Sequence, residues 1–404
     1  MSMLSLSALT GLALLALSGC SKPNEETYYV LKCDYQTERL KEYTGVKTTD
    51  GAGLISIRES SEPGTDLNKP CSVSTDNLGR PYTLGEGFFT PDNPFPKLPA
   101  SGPVAVDATP LTTLFPWMQP VLFSVLPGFA NPQRPPLECP PGLGGFLVNH
   151  RQNTVTAFRA CPTLRQVKEI NVYANPLQVA VTPDGTQALV TSYGDSDGGA
   201  LTFIKVSDQS VSATLRMFNY NPSGIAITPD GTRAYLTHYF DLSPSLVVVD
   251  IPGRKVLSTI PLPLAYPRAV MITPDGSQAW VNYYQGGIVS VVDLLTGTIG
   301  GTVTITQQVS TGMAFNPTGT KAFVASQPNL LHVVDTATLR VLTRIVVGQE
   351  PTDVVVTKDG NTVLVNSDVD PGTWWVDARS NRLLSRAVAP GETSGGSMGL
   401  MVFQ

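Results

Sequence analysis

An all-β fold built from repeated four-stranded antiparallel units is predicted by three observations. A pattern of Pro, alternating apolar residues, Pro-Asp-Gly and a second apolar run starts at Asn175, Asn221 and Tyr266, and weaker copies start at Ser310 and Glu350. The turn glycines Gly185, Gly231, Gly276, Gly319 and Gly360 are spaced 46, 45, 43 and 41 residues apart. Each period has room for four short strands, which is the arithmetic of a β-propeller blade. Five internal copies and one blade stitched from both chain ends give six blades. A seventh within residues 25–143 stays open.

The chain's first residues bear on its compartment. Met3 to Leu17 is an apolar run, shorter than a membrane-spanning helix needs, and it ends in Leu17-Ser18-Gly19-Cys20. These four residues resemble a bacterial lipobox. The resemblance implies a signal peptide over 1–19, acylation of Cys20 and a lipid anchor in the cell envelope. Ser21, in place of Asp, implies outer-membrane sorting in a Gram-negative cell. Met1 to Leu4 carries no Lys or Arg, a departure from the usual signal peptide.

Residues 20–80 read as a tether with a small N-terminal segment. Tyr28-Tyr29-Val30-Leu31 and Leu54-Ile55-Ser56-Ile57 are expected as short strands. Residues 81–143 hold 15 prolines between Pro81 and Pro141. Such density forbids helix and central strand, so an extended, irregular segment is expected. It also carries Phe88, Phe115, Trp117 and Phe123, which suit packing against another surface. Cys33, Cys71, Cys139 and Cys161 remain after Cys20. An even number in an exported chain reads as two disulfides, and proximity favours Cys33–Cys71 and Cys139–Cys161 among three possible pairings.

Residues 144–404 are the repeat domain. In the copy from Asn221, Gly224 to Thr228 is strand one and the Asp-Gly tip supplies the positive φ of a tight turn. Ala234 to Thr237 is strand two, Leu246 to Val249 strand three and Val256 to Ile260 strand four. Their Val, Ile and Ala content suits a sheet buried on both faces. Phe146 to Val172 supplies strands two to four without a strand one, and Gly399 to Phe403 reads as a strand one alone. The two are expected to pair and close the ring.

The repeats resemble the YVTN family of β-propellers. The Tyr-Val-Thr-Asn slot reads Leu189-Val190-Thr191-Ser192, Tyr235-Leu236-Thr237-His238 and Trp280-Val281-Asn282-Tyr283. The Val-Ile-Asp slot reads Val248-Val249-Asp250, Val291-Val292-Asp293 and Val333-Val334-Asp335. The resemblance implies the propeller fold. It leaves function open, because such propellers include binding proteins, surface-layer modules and enzymes.

The formal net charge is -5 and no basic run occurs, so no nucleic-acid partner is expected. The sequence contains no nucleophile elbow, zinc-protease motif or phosphate loop, and no cofactor is expected. Of three histidines, His332 lies within a third strand, whereas His150 and His238 end second strands. Asp195-Ser196-Asp197-Gly198 and Asp368-Val369-Asp370-Pro371-Gly372 place alternating carboxylates before Gly, so Asp195, Asp197, Asp368 and Asp370 are weak cation-ligand candidates against an ordinary Asx-turn role. Asp353 is the one acidic residue early in a first strand, where a hydrolase or lactonase would need a channel ligand. The preferred expectation is a non-catalytic, lipid-anchored module that binds an envelope protein or another ligand. Its surface would be the loops after strand two (His150, Tyr193, His238, Tyr239, Tyr283, Tyr284) and the loops leading into strand one (Tyr173, Tyr220, Tyr266, Arg268).

Overall fold

The computed structural model describes residues 25–34, 39–48, 55–59, 67–68, 144–159, 165–195, 198–239, 243–284, 286–305, 309–388 and 397–403. The chain is a β-propeller, and no α-helix occurs among the described residues. Its five continuous blades each run in sequence order through four antiparallel strands. They are β8 to β11 (Pro176–Val181, Gln187–Asp195, Gly198–Lys205, Ser210–Met217) and β12 to β15 (Pro222–Ile227, Arg233–His238, Ser245–Asp250, Lys255–Pro261). Next come β16 to β19 (Pro267–Ile272, Gln278–Tyr283, Ile288–Asp293, Thr298–Thr304) and β20 to β23 (Val309–Phe315, Lys321–Ser326, Leu330–Asp335, Arg340–Val346). The last is β24 to β27 (Pro351–Val356, Thr362–Ser367, Thr373–Asp377, Arg382–Ala387).

A sixth four-strand path joins the two ends of the chain. The C-terminal strand β28 (Ser397–Phe403) pairs with β1 (Glu25–Asp34), which pairs with β2 (Arg39–Thr48), which pairs with β3 (Ile55–Glu59). The two-residue β4 (Leu67–Asn68) adds to the start of β2. This corrects the expected closure. Phe403 opposes Tyr29 and Val402 opposes Val30, so the last strand completes the sheet of residues 25–59 rather than joining the strand at Phe146. The reason lies in residues 25–59. Their Tyr, Val, Thr and Ile runs make three strands, so they form a blade lacking only its first strand, where a tether with short strands was expected and a further blade was left open.

The strands β5 (Gly144–Asn149), β6 (Thr154–Arg159) and β7 (Arg165–Asn171) form a separate three-stranded sheet. No described strand pairs with the free side of β5. Contacts between first strands run from β8 through β12, β16, β20 and β24 to β28, and β5 lies against β8. The Pro-rich segment 81–143 lies outside the described residues, as do Cys20, Cys71, Cys139 and Cys161. Cys33 lies in β1 opposite Leu40 of β2.

The core lies between neighbouring blades. One cluster joins Phe203 and Leu201 of one blade to Leu236, Val247 and Val249 of the next. Another joins Trp280, Val289 and Val291 to Met313, Phe315 and Val324. Second and third strands are buried almost throughout, whereas fourth strands such as β23 alternate exposed and part-buried residues. That gradient is what a blade requires when its inner strands touch two neighbours and its outer strand meets water.

Candidate binding surface

Two kinds of loop meet on one face of the propeller. In four blades, the amide following strand two donates to the carbonyl of the residue just before the Pro of strand one. Tyr193 donates to Asn175 at 2.8 Å, Tyr239 to Asn221 at 3.1 Å, Tyr284 to Tyr266 at 2.9 Å and Asp368 to Glu350 at 2.9 Å. This bond fixes the tyrosines of both loops beside each other. Side-chain amides add to it: Asn221 donates to the Tyr193 carbonyl at 2.8 Å, tying one blade's loop to the next.

Tyr239 is the centre of an aromatic cluster. Its ring is 6.4 Å from Tyr193, edge-on, and 5.3 Å from Tyr266, tilted. Burial pushes the Tyr239 hydroxyl above its ordinary pKa; the nearby Arg268 opposes that shift, while Tyr284, Tyr193 and Tyr266 reinforce it. Arg268 stacks over Tyr284 at 5.6 Å, and Tyr284 is 44% exposed. Toward the rim, Arg216 lies 4.2 Å over Tyr173 and 5.3 Å from Phe218, which is 62% exposed. The surface is thus aromatic and contains two guanidinium groups held against rings.

The structure divides the residues expected on this face. Tyr173, Tyr220, Tyr239 and Tyr266 are half-buried in the loops, Tyr193 and Arg268 are half-buried near the ends of β9 and β16, and Tyr284 is exposed. Tyr283 is not on the surface: it is fully buried at the end of β17, its hydroxyl 2.7 Å from Ser290 Oγ, and burial pushes it up to about 12. His238 is also buried, edge-on to Tyr220 at 5.2 Å, and desolvation lowers its pKa although the Ser243 backbone bonds it. His150 is exposed in a short 3-10 turn, with Nδ1 3.1 Å from the Pro176 carbonyl oxygen.

The described carboxylates of the acidic loops do not gather into a cation site. Asp370 accepts the Gln349 amide at 2.8 Å and donates its own amide to Ser367 Oγ, also at 2.8 Å, as turn residues do. Asp195 and Asp368 are exposed, and Asp197 lies outside the described residues. Among the described residues no three His, Cys, Asp or Glu side chains gather as a metal would require. Asp353 sits in β24 without forming such a group.

Two features were not foreseen from sequence. The third residue of the Tyr-Val-Thr-Asn slot clasps blades together: Thr191 Oγ1 donates to the Ser223 carbonyl of the next blade at 2.7 Å, and Thr237 Oγ1 to that of Arg268 at 3.0 Å. The same oxygens accept the Gln178 and Gly224 amides of their own blades, and Asn282 Oδ1 accepts that of Ala269. Repetition of a hydroxyl or amide at that slot was the available signal. Arg216 and Phe218 are the second: Arg216 stands in a fourth strand, and Phe218 begins the entry loop that carries Tyr220.

The face opposite is made of Pro-Asp-Gly tips. Asp275 accepts from Thr273 Oγ1 at 2.6 Å and from the Ser277 amide at 3.0 Å, and the equivalent Asp184 and Asp230 are bonded in the same way. The Thr228 hydroxyl bond foremost and, at Asp275, the Thr273 hydroxyl hold these carboxyls below their ordinary pKa. They are turn residues, as the sequence implied.

No protein-family model matches the chain, and no curated protein matches it in sequence. Among solved structures it is similar to Kuenenia stuttgartiensis hydrazine synthase, at 20% identity and a TM-score of 0.53, covering 59% of this chain and 74% of that one. It is also similar to a functionally unknown protein from Desulfotomaculum acetoxidans DSM 771, at 22% identity and a TM-score of 0.53, covering 59% of this chain and 77% of that one. At these identities the likeness establishes the propeller fold alone, shared by an enzyme and by a protein of unknown function.

Proposed function

We propose that this chain is a non-catalytic binding module, lipid-anchored in the bacterial cell envelope through Cys20, that holds a partner or ligand on its tyrosine-rich face. The observation that carries the reading is the ring cluster around Tyr239, flanked by Phe218 and Tyr284, which place large apolar groups in water. Large exposed rings contribute little to stability yet offer rigid contact area, which is the economy of a binding surface. The opposite face has turn carboxylates already engaged in their own loops.

A double substitution, Phe218→Ala with Tyr284→Ala, tests the reading. Affinity capture from solubilised native membranes should lose the bound partner, while the melting temperature moves by no more than about 2 °C. Asp230→Ala on the opposite face should leave capture intact. Retention of every captured species by the double variant would overturn the proposal.

A further inference from the structure

The two arginines of this face have an unusual setting. Among the described residues neither the Arg216 nor the Arg268 guanidinium has a carboxylate or a hydrogen-bond partner; each lies over a ring, the Arg216 Cζ 4.2 Å from the Tyr173 centroid and the Arg268 Cζ 5.6 Å from that of Tyr284. A guanidinium carries its N–H donors in its own plane, arranged as a fork that matches a carboxylate, and a cation–π contact uses none of them. The ring contact therefore holds the charge without consuming its donors.

A second observation lies between them. Tyr266 precedes Pro267 with φ of 56°, in the left-handed region. The equivalent pre-proline positions of two other blades are Asn175, at φ 54°, and Glu350, at φ 49°. Asn accepts that conformation readily, whereas a bulky aromatic residue is strained there. In this conformation the Tyr266 ring lies 5.3 Å from that of Tyr239. Such residues persist where the conformation serves a site.

Resting on the binding role above, we infer that the ligand is an acidic polysaccharide in which neutral sugars separate the acid units. Sugar rings would lie on the tyrosines, and carboxylates would take the forks of Arg216 and Arg268. The rings and cations extend over three consecutive blades, from Arg216 and Tyr193 through Tyr239 to Tyr266 and Arg268, so an extended polymer suits them better than a compact ligand. Among the described residues only the Arg216 and Arg268 guanidiniums punctuate that length. The same face also carries exposed Asp195 and Asp368, which disfavours a partner charged at every unit. An acidic peptide would satisfy the arginines but offers no flat CH-rich faces for the tyrosines.

Hyaluronan fragments alternate a uronic acid with a neutral sugar and serve as the probe. Calorimetric titration of the full chain should detect binding that weakens as salt rises. Arg216→Gln with Arg268→Gln should weaken it by about tenfold or more. Tyr266→Asn should also weaken it, with a melting temperature unchanged or higher, since Asn relieves the strain. Equal binding of an uncharged chitin oligosaccharide, equal or tighter binding of poly-glutamate or single-stranded oligothymidylate, or no binding of hyaluronan would each overturn the inference. If hyaluronan fails while the Phe218/Tyr284 variant still loses its native partner, the binding role stands and only the acidic-sugar assignment falls.

Discussion

Thr237 shows how one side chain can hold two blades. Its hydroxyl accepts the Gly224 amide at 2.7 Å and donates to the Arg268 carbonyl at 3.0 Å, inside a fully buried strand end. Thr237→Val keeps the shape and orphans both backbone groups, so a loss of about 1–3 kcal/mol is expected in urea unfolding. His332 gives a pH signature. It is fully buried with Nε2 2.8 Å from Ser326 Oγ, and burial, helped by Arg344, lowers its pKa to about 4. Between about pH 6.5 and 4 the unfolded chain takes a proton that the folded chain refuses. Stability should therefore be level above pH 6.5 and fall below it, with this residue adding at most about 1.4 kcal/mol per pH unit. Ser326→Ala with His332→Leu should flatten that slope in melts at pH 7 and pH 5; His238, also lowered by burial, sustains the remainder. The sequence placed His332 inside a third strand as a structural residue, as found, but not its Ser326 partner or the clasp made by Thr237. Thr237 stood in a recognised slot, but its carbonyl partner lies in the next repeat, and only packing brings them together.

The blade was the most legible element, because its period, alternation and tips all repeat. The tips also contact one another in a way that the pattern alone did not reveal. A Cβ placed on Gly276 would lie 3.1 Å from Pro229 Cδ, one on Gly319 3.2 Å from Pro274 Cδ, and one on Gly360 2.8 Å from Pro317 Cδ. Each tip glycine thus seats the proline of the preceding tip, and each has a positive φ, 74° at Gly276. Gly276→Ala should cost about 1–2 kcal/mol in thermal unfolding, through both the strained φ and the displaced Pro229. Lys358 occupies the corresponding proline position in the last copy. The neighbouring sheet begins with β28 and β1, which no turn joins, so no tip glycine awaits a proline there. The missing tip also left this sheet undecided in the sequence: Tyr28 to Leu31 read as a strand, but without Pro-Asp-Gly a further blade within residues 25–143 stayed open.

At the scale of the whole molecule, the seam between β28 and β1 replaces a covalent turn with a ladder of backbone hydrogen bonds. Removing residues 397–404 would bare the edge of β1 and leave β24 without the neighbour it touches. Such a chain should aggregate or melt markedly lower, as light scattering during heating would show. Ring closure was read from the sequence, but the wrong partner was chosen, since Gly399 to Phe403 would suit any blade lacking a first strand and two sheets qualify. The disulfides belong to the same scale: non-reducing peptide mapping is expected to find Cys33 joined to Cys71, and Cys33 joined to Cys139 would exclude it. The seam has a further consequence in time. In chain order every other described strand lies between β1 and β28, so β1 must wait for its mate until all the intervening blades have been synthesised. Internal blades can assemble as they emerge, whereas the final joining must draw together two distant parts of the chain, a late and entropically costly step. Any premature termination would leave every earlier blade made and the circle still open.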